Sequence, residues 1–255
     1  MGVKWIQASM AGVRRVGRAA MDFCYPGVCA ACEIPCEGSS PLCRKCLKKL
    51  ELLEAAAACP APLPYDGAPC PHCLGRGLRP LDRIARLGRF DDPLRLLVHH
   101  FKYHAHWPLA EQLADRLWAK PEVRQILAQS DVIVPVPLYR WRQVLRGYNQ
   151  AEVIAAQLSR RSGVRLARPA VRFRDTPTQT LLGSNSARRR NMRDAFVLAS
   201  PRQIRGKRLT LVDDVMTTAA TLRSLARVLH QGEPAAISAV VLAVADPRRR
   251  GFETI

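Results

Sequence analysis

Asp213 and Asp214 stand together at the end of a short apolar run, Leu209, Leu211 and Val212, and are followed by Thr217, Thr218, Ala219, Ala220 and Thr221. Carboxylates closing a strand can accept hydrogen bonds from sugar hydroxyls and help to hold Mg²⁺. Small and hydroxylated residues leading into a helix let backbone N–H groups and the positive end of the helix dipole face a phosphate. A buried strand with a threonine cap accounts for one acid and one threonine. Two acids and three threonines around one turn exceed what capping needs. Residues 208–222 therefore read as a strand, turn and helix N-terminus arranged around a sugar phosphate.

A second chemistry lies near the N-terminus, where all nine cysteines fall within 24–73. Cys29-x₂-Cys32 and Cys43-x₂-Cys46 are two knuckles, each able to turn two thiolates to one side. Two such turns complete a closed tetrahedral shell for a structural Zn²⁺ with no position left for catalysis. Cys59, Cys70 and Cys73 suggest a degenerate second site that lacks a fourth ligand, so one zinc is expected. Cys24 and Cys36 read as packed or free thiols. With no secretory signal in view, this spacing favours metal ligation in a reducing compartment over disulfides.

The chain has 255 residues, with 48% apolar and 24% charged residues, ordinary for a globular protein with a substantial core. Its charge is not ordinary: 40 Lys+Arg against 21 Asp+Glu give a formal net charge of +19. Such a field favours nucleic acid, an acidic membrane surface or phosphorylated ligands. No stretch is long and apolar enough to span a bilayer. The expected location is cytoplasmic, with attachment at the inner membrane as the alternative. The basic segment 1–22 carries Lys4, Arg14, Arg15 and Arg18. It suits a helix packed on the next domain better than a lipid-surface helix or a transit peptide, because its apolar face is short and diluted by Ala and Gly.

The elements that must position these groups follow from hydrophobic period. Residues 83–90 read as a strand, Pro93 opens a helix through Phe101, and Pro108 opens another with Leu109, Leu113 and Leu117 on one face. Lys102 falls where its ammonium could reach a phosphate. His99, His100, His104 and His106 are spaced around a helix rather than converging, so solvated or capping roles are expected. Residues 131–137 read as a buried strand, followed by Arg140, Trp141, Arg142 and Arg146. Open α/β sheets place ligands at strand C-termini, and arginine's planar fork suits phosphate. Tyr139, Trp141 and Tyr148 among these cations would also suit base stacking on a single strand, or belong to the core. A helix over 151–161, a short strand at 194–198, a helix over 219–229 and a last strand over 237–244 complete a β/α alternation. It predicts a parallel, doubly wound sheet. The polar stretch 172–193 ends in the densest basic cluster, Arg188, Arg189, Arg190 and Arg193, suited to a flap over pyrophosphate or a nucleic-acid contact.

The apolar run, Asp213-Asp214 and Thr217-Thr218-x-x-Thr221 resemble the signature of type I phosphoribosyltransferases, which bind 5-phosphoribosyl-1-pyrophosphate (PRPP). The ordered set of cysteine knuckles, Pro135-Val136-Pro137-Leu138, Arg146-Gly147-Tyr148-Asn149-Gln150, Thr176-Pro177-x-Gln179 and the acidic, threonine-rich loop further resembles the ComF family of bacterial DNA-uptake proteins over about residues 22–245. That resemblance implies an α/β, type I phosphoribosyltransferase-like parallel sheet flanked by helices, at 81–246. A small zinc-ribbon-like module at 23–80 would precede it, and 247–255 would be a basic tail. It assigns Asp213 and Asp214 to ribose hydroxyls and catalysis, Thr217, Thr218, Ala219, Ala220 and Thr221 to the 5′-phosphate, and Arg140, Arg142 and Lys102 to pyrophosphate. Arg146, Arg188, Arg189, Arg190, Arg193 and Trp141 would form a basic DNA-binding surface. Structural zinc and Mg²⁺ with PRPP are the implied cofactors. Single-stranded DNA and a helicase or membrane-channel component of the uptake machinery are the implied partners. An active Mg²⁺-dependent phosphoribosyltransferase with an unknown acceptor is the alternative. Ala219 departs from the family's usual glycine; if that position takes positive φ, the side chain makes it costly by about 1 kcal/mol or more.

Overall fold

The computed structural model describes residues 28–36, 41–55, 79–103, 107–174, 195–217 and 219–245. The elements run α1 (Arg44–Ala55), β1 (Ile84–Arg89), α2 (Leu94–Tyr103), α3 (Trp107–Ala119), α4 (Pro121–Ala128), β2 (Val132–Pro135), α5 (Arg140–Arg146), α6 (Gln150–Ser162), β3 (Arg165–Leu166), β4 (Ala170–Arg172), β5 (Phe196–Leu198), β6 (Arg208–Met216), α7 (Ala220–His230) and β7 (Ala236–Val244). The N-terminal segment, Cys24, Cys59, Cys70, Cys73, His104, His106, Thr218, the arginine cluster 188–193 and the C-terminal tail lie outside the described residues.

Five strands form one sheet in the order β1-β7-β6-β2-β3, every pair parallel. The smaller pair β4–β5 is antiparallel. Period-2 alternation in the central strands divides the core. Val212, Val240 and Leu242 face α2, α3, α4 and α6 through Leu97, Phe101, Leu113, Leu127, Ile154 and Leu158. Leu209, Leu211, Ala239 and Val241 face α7 and the β4–β5 pair through Leu222, Leu225, Leu229 and Phe196. Helices thus cover both faces, as near-continuous apolar strands require.

Two helices were not marked by sequence, and one strand end differs from expectation. Residues 140–146 form a helix, and Pro121–Ala128 is a helix whose proline stands at the first turn. The strand bearing the acidic pair continues through Val215 and Met216, because both pair with β7 at Ala243 and Val244. The pair therefore does not close the strand.

That extension creates the opening in the sheet. β6 pairs with β2 only as far as Pro135 opposite Val212, with a last bond from the Val136 N–H to the Val212 carbonyl at 2.9 Å. From Asp213 onward β6 has β7 on one side and no β2 ladder on the other. The chain leaving β2 enters α6 on one face of the sheet, while the chain leaving β6 enters α7 on the other. A reversal of this kind between adjacent parallel strands leaves a crevice at their C-terminal ends.

Candidate functional site

Alternation from Val212 turns Asp214 toward the face covered by α2, and Lys102 near the end of α2 meets it there. Its Nζ lies 3.5 Å from Asp214 Oδ2, and both side chains are 17% exposed. The Asp214 N–H donates to Asp213 Oδ1 at 2.9 Å, and the Val215 N–H donates to Asp214 Oδ1 at 2.7 Å. The two carboxyls respond oppositely. Burial and the charge of Asp214 push Asp213 well above the ordinary carboxylate range, against Lys102 and the Asp214 N–H. Burial also opposes ionisation of Asp214, but Lys102, the Val215 N–H and Arg146 together carry it below that range. The crevice holds one firmly ionised carboxylate beside one that resists ionisation, the usual outcome when two acids share a site.

Asp213 consequently works against stability. The folded chain binds its proton more tightly than the unfolded chain, so stability falls as pH rises above about 4 toward the folded-state value. Asp213→Asn keeps an oxygen for the Asp214 N–H and removes the conflict. It is expected to gain about 1 kcal/mol at neutral pH, a gain that shrinks as pH is lowered to about 4. Calorimetric melting at the two pH values checks both statements.

Residues 217–221 span the approach to α7 and its first turn. Ala219 is the N-cap, at φ 57° and ψ 15°, and makes no side-chain cap. The helix starts at Ala220, so Thr221 sits in the first turn and Thr217 precedes it. Ala219 does take positive φ, so the strain tied to a side chain there applies, and the residue is 4% exposed. Left-handed backbone costs a residue with Cβ about 1–2 kcal/mol, while a buried methyl contributes about 0.8 kcal/mol. Ala219→Gly should therefore leave stability level or raise it by up to about 1 kcal/mol. A loss larger than that in denaturant unfolding would mean that the methyl outweighs the backbone strain.

The segment after β2 divides into two parts. Trp141, Val144 and Leu145 on α5 are 62%, 72% and 70% exposed, and the helix buries no residue. Arg140 is exposed beside them. Gly147 then turns the chain at φ 75°, and the next residues are packed. Tyr148 lies against Phe101 with ring centroids 5.7 Å apart at 59°, and its hydroxyl donates to the Phe101 carbonyl. Asn149 caps α6 by accepting from the Ala151 N–H at 3.1 Å, and its amide donates to the Val136 carbonyl at 3.0 Å. Gln150 donates to the Lys102 carbonyl at 3.3 Å. Of the aromatics proposed from sequence for stacking, Trp141 faces outward and Tyr148 is committed to α2. Arg146, read from sequence as part of a basic surface, also acts on Asp214. No periodicity could reveal that, because 68 residues of chain separate the two.

The cysteines converge as their spacing implies. The Glu33 N–H donates to the Cys29 carbonyl and the Cys29 N–H to the Ile34 carbonyl, both at 2.8 Å, closing the first turn. The second begins α1, with the Cys46 N–H 3.4 Å from Cys43 Sγ. The four Sγ atoms of Cys29, Cys32, Cys43 and Cys46 lie within 4.8 Å of one another, and those of Cys32 and Cys43 are 3.7 Å apart. That is the edge of a tetrahedron with metal–sulfur bonds of about 2.3 Å, and far from the roughly 2.05 Å of a disulfide. Burial opposes ionisation of Cys29, but backbone donors at Cys43, Ala31 and Cys32 bring its thiol down to about 6. Burial and the neighbouring thiols push Cys46 up. A divalent cation at the centre would remove this competition for negative charge, so the donor set fits zinc in both geometry and charge. The cluster is continuous with the main core: Cys29, Cys46, Leu42 and Leu50 share one apolar cluster with Leu87, Leu97 and Leu113.

Comparison with known proteins places this geometry. Residues 145–253 match the family model described as "Phosphoribosyl transferase domain". Competence protein F of Haemophilus influenzae is 33% identical over 195 residues, covering 74% of this chain and 84% of that protein. The chain belongs to the competence protein F family. A second relative, DNA utilization protein YhgH of Escherichia coli K12, is 31% identical over 218 residues, 83% of this chain and 94% of its own. Among solved structures, orotate phosphoribosyltransferase from Aeropyrum pernix aligns with 59% of this chain and 64% of its own at 19% identity and a TM-score of 0.33. The competence protein F family member described here therefore has the expected class of fold, a parallel phosphoribosyltransferase-type sheet with helices on both faces and a cysteine cluster at its N-terminal side. Among the described residues, no helix is long and apolar enough to cross a membrane.

Proposed function

We propose that this chain binds PRPP with Mg²⁺ in the crevice between β2 and β6, and that it serves the handling of incoming DNA, as the names of its relatives suggest. The observation that carries the first part is the Lys102–Asp214 pair at the opening of the sheet, one turn of chain ahead of an α7 N-terminus that its own N-cap residue leaves uncapped. Asp213 and Asp214 take the ribose hydroxyls. Thr217, Thr218, Ala219, Ala220 and Thr221 take the 5′-phosphate through hydroxyls and first-turn N–H groups. Lys102, Arg140 and Arg142 balance the charge of the pyrophosphate. Mg²⁺, when bound, neutralises the diphosphate and favours its departure from the ribose. The division into a cysteine module at 23–80 and a phosphoribosyl domain at 81–246 belongs to the same reading.

The second part rests on α5. An indole 62% exposed beside arginines on a chain of net charge +19 combines a stacking surface with a cationic one, which suits single-stranded DNA. The cluster Arg188, Arg189, Arg190 and Arg193 adds to the positive charge of the chain. Titrating Mg–PRPP by calorimetry and a labelled oligonucleotide by anisotropy tests the two parts separately. Trp141→Ala with Arg142→Ala is expected to weaken oligonucleotide binding about tenfold or more and to flatten its salt dependence by about 0.7 per lost phosphate contact. Mg–PRPP affinity should fall by no more than the share contributed by Arg142. Oligonucleotide affinity untouched by the double substitution would remove α5 from the DNA surface. Phosphoribosyl transfer is the alternative reading, favoured by the family-model match. Pyrophosphate release on adding PRPP and an amine or nucleobase acceptor would establish it.

A further inference from the structure

With the crevice read as a phosphoribosyl site, we infer that Tyr148 and Gln150 are positioning residues that act through Lys102, by holding the last turn of α2 against the sheet opening. Phe101 and Lys102 stand within the last four residues of α2, Leu94–Tyr103, where helix carbonyls commonly accept from donors outside the helix. Both carbonyls are taken by the segment after Gly147. The Tyr148 hydroxyl donates to the Phe101 carbonyl, and Gln150 Nε2 donates to the Lys102 carbonyl at 3.3 Å.

The donors are themselves fixed. Arg146 Nη1 donates to Gln150 Oε1 at 3.4 Å, which sets the amide so that its nitrogen faces Lys102. Gln150 is only 2% exposed. Between the two donors, Asn149 ties the segment to the end of β2 through the Val136 carbonyl. The end of α2 is thus capped from a segment almost fifty residues away, and that segment is anchored to the strand bordering the crevice.

This arrangement bears on function because of what the capped turn carries. Lys102 is next to last in α2, where an unsupported helix frays. Its ammonium faces Asp214 through a flexible four-carbon stem that gives no directional control unless its backbone is held. The second half of the Arg-Gly-Tyr-Asn-Gln sequence then acts as a cap that orients the lysine, rather than as a ligand contact.

Tyr148→Phe tests this with little disturbance, since the ring keeps its contact with Phe101 and only the donor is lost. Mg–PRPP affinity of the full chain is expected to fall about fivefold. In a Lys102→Met background the same substitution should change affinity by less than about twofold, because the residue it acts through is gone. A merely structural role would give multiplying losses in the two backgrounds and would overturn the inference. A second readout needs no ligand. In ¹⁵N-labelled protein the Lys102 ammonium resonance, identified by its loss in Lys102→Met, should be visible in the wild type and broadened in Tyr148→Phe. If it persists unchanged, the positioning role is refuted even should the wild type show no affinity for Mg–PRPP, an outcome that would sink the phosphoribosyl reading alone. Should Tyr148→Phe not yield folded protein, Gln150→Met carries the same pair of measurements.

Discussion

Cys32→Ser or Cys43→Ser is expected to abolish zinc binding and to lower the thermal midpoint of the whole chain by about 10 °C or more. The reasoning runs from sulfur geometry to the core. A thiolate removed from a tetrahedral site leaves the other three crowded, with nothing to offset their charge, and Cys29 and Cys46 are buried. Those residues pack directly against the sheet domain. They share an apolar cluster with Leu87 of β1 and with Leu97, Leu113 and Leu117 of α2 and α3. Loosening the cysteine turns therefore loosens the face of the sheet covered by α2, the helix that carries Lys102. Metal content by mass spectrometry and a single calorimetric melt, with and without chelator, check this. One zinc per chain is expected, and two would bring Cys59, Cys70 and Cys73 into a second site. A serine variant that loses its metal and melts like the wild type would show the cluster to be peripheral to folding.

Asp214→Asn is expected to weaken Mg–PRPP about 30- to 100-fold. The carboxylate is held ionised, and a charge-assisted hydrogen bond to a sugar hydroxyl is worth about 1.5–3 kcal/mol, with each 1.4 kcal/mol a factor of ten. The same change leaves the half-buried Lys102 facing a neutral amide, so stability should fall as well. Asp213→Asn makes the informative contrast. It should also impair binding, yet raise stability, because Asp213 is the carboxyl whose ionisation the fold opposes. Two adjacent acids with opposite effects on melting and the same effect on ligand affinity would identify a site that gives up stability for function. Calorimetric titration and melting of the two variants side by side decide it. Unchanged affinity in Asp214→Asn would remove the crevice from consideration as the phosphoribosyl site.

Much of this molecule was legible in local pattern. Apolar runs at 84–89, 132–135 and 236–244 are strands because period and β-branching leave them no other way to be buried. The cysteine spacing gives two turns of two thiols, and two such turns make a metal shell. The acid pair and the threonines are adjacent in the chain, so their meeting at one strand–helix junction needs no long-range knowledge. At Ala219 the family's usual glycine only raised the question of positive φ, and the backbone answered it. The helix at 140–146 was not legible. Its apolar residues Val144 and Leu145 face outward, so no buried stripe marks it, and three arginines in seven residues read equally well as loop.

What the sequence determined by itself is the inventory and its local geometry: two pairs of thiols on tight turns, an acid pair on a strand, a small-residue, threonine-rich turn and a basic aromatic segment. These arise from residues close in the chain, where spacing alone sets distance. The tertiary structure decided which of them meet. The strand order places β6 beside β2 with its last four residues unpaired on that side, and this opens the crevice at Asp213. Packing of α2 on one face brings Lys102 to Asp214, more than a hundred residues away. Tyr148 and Gln150 reach across to donate to the Phe101 and Lys102 carbonyls of α2, almost fifty residues away. Such pairings depend on sheet order and on which face each helix covers, and side-chain spacing along the chain carries no record of either.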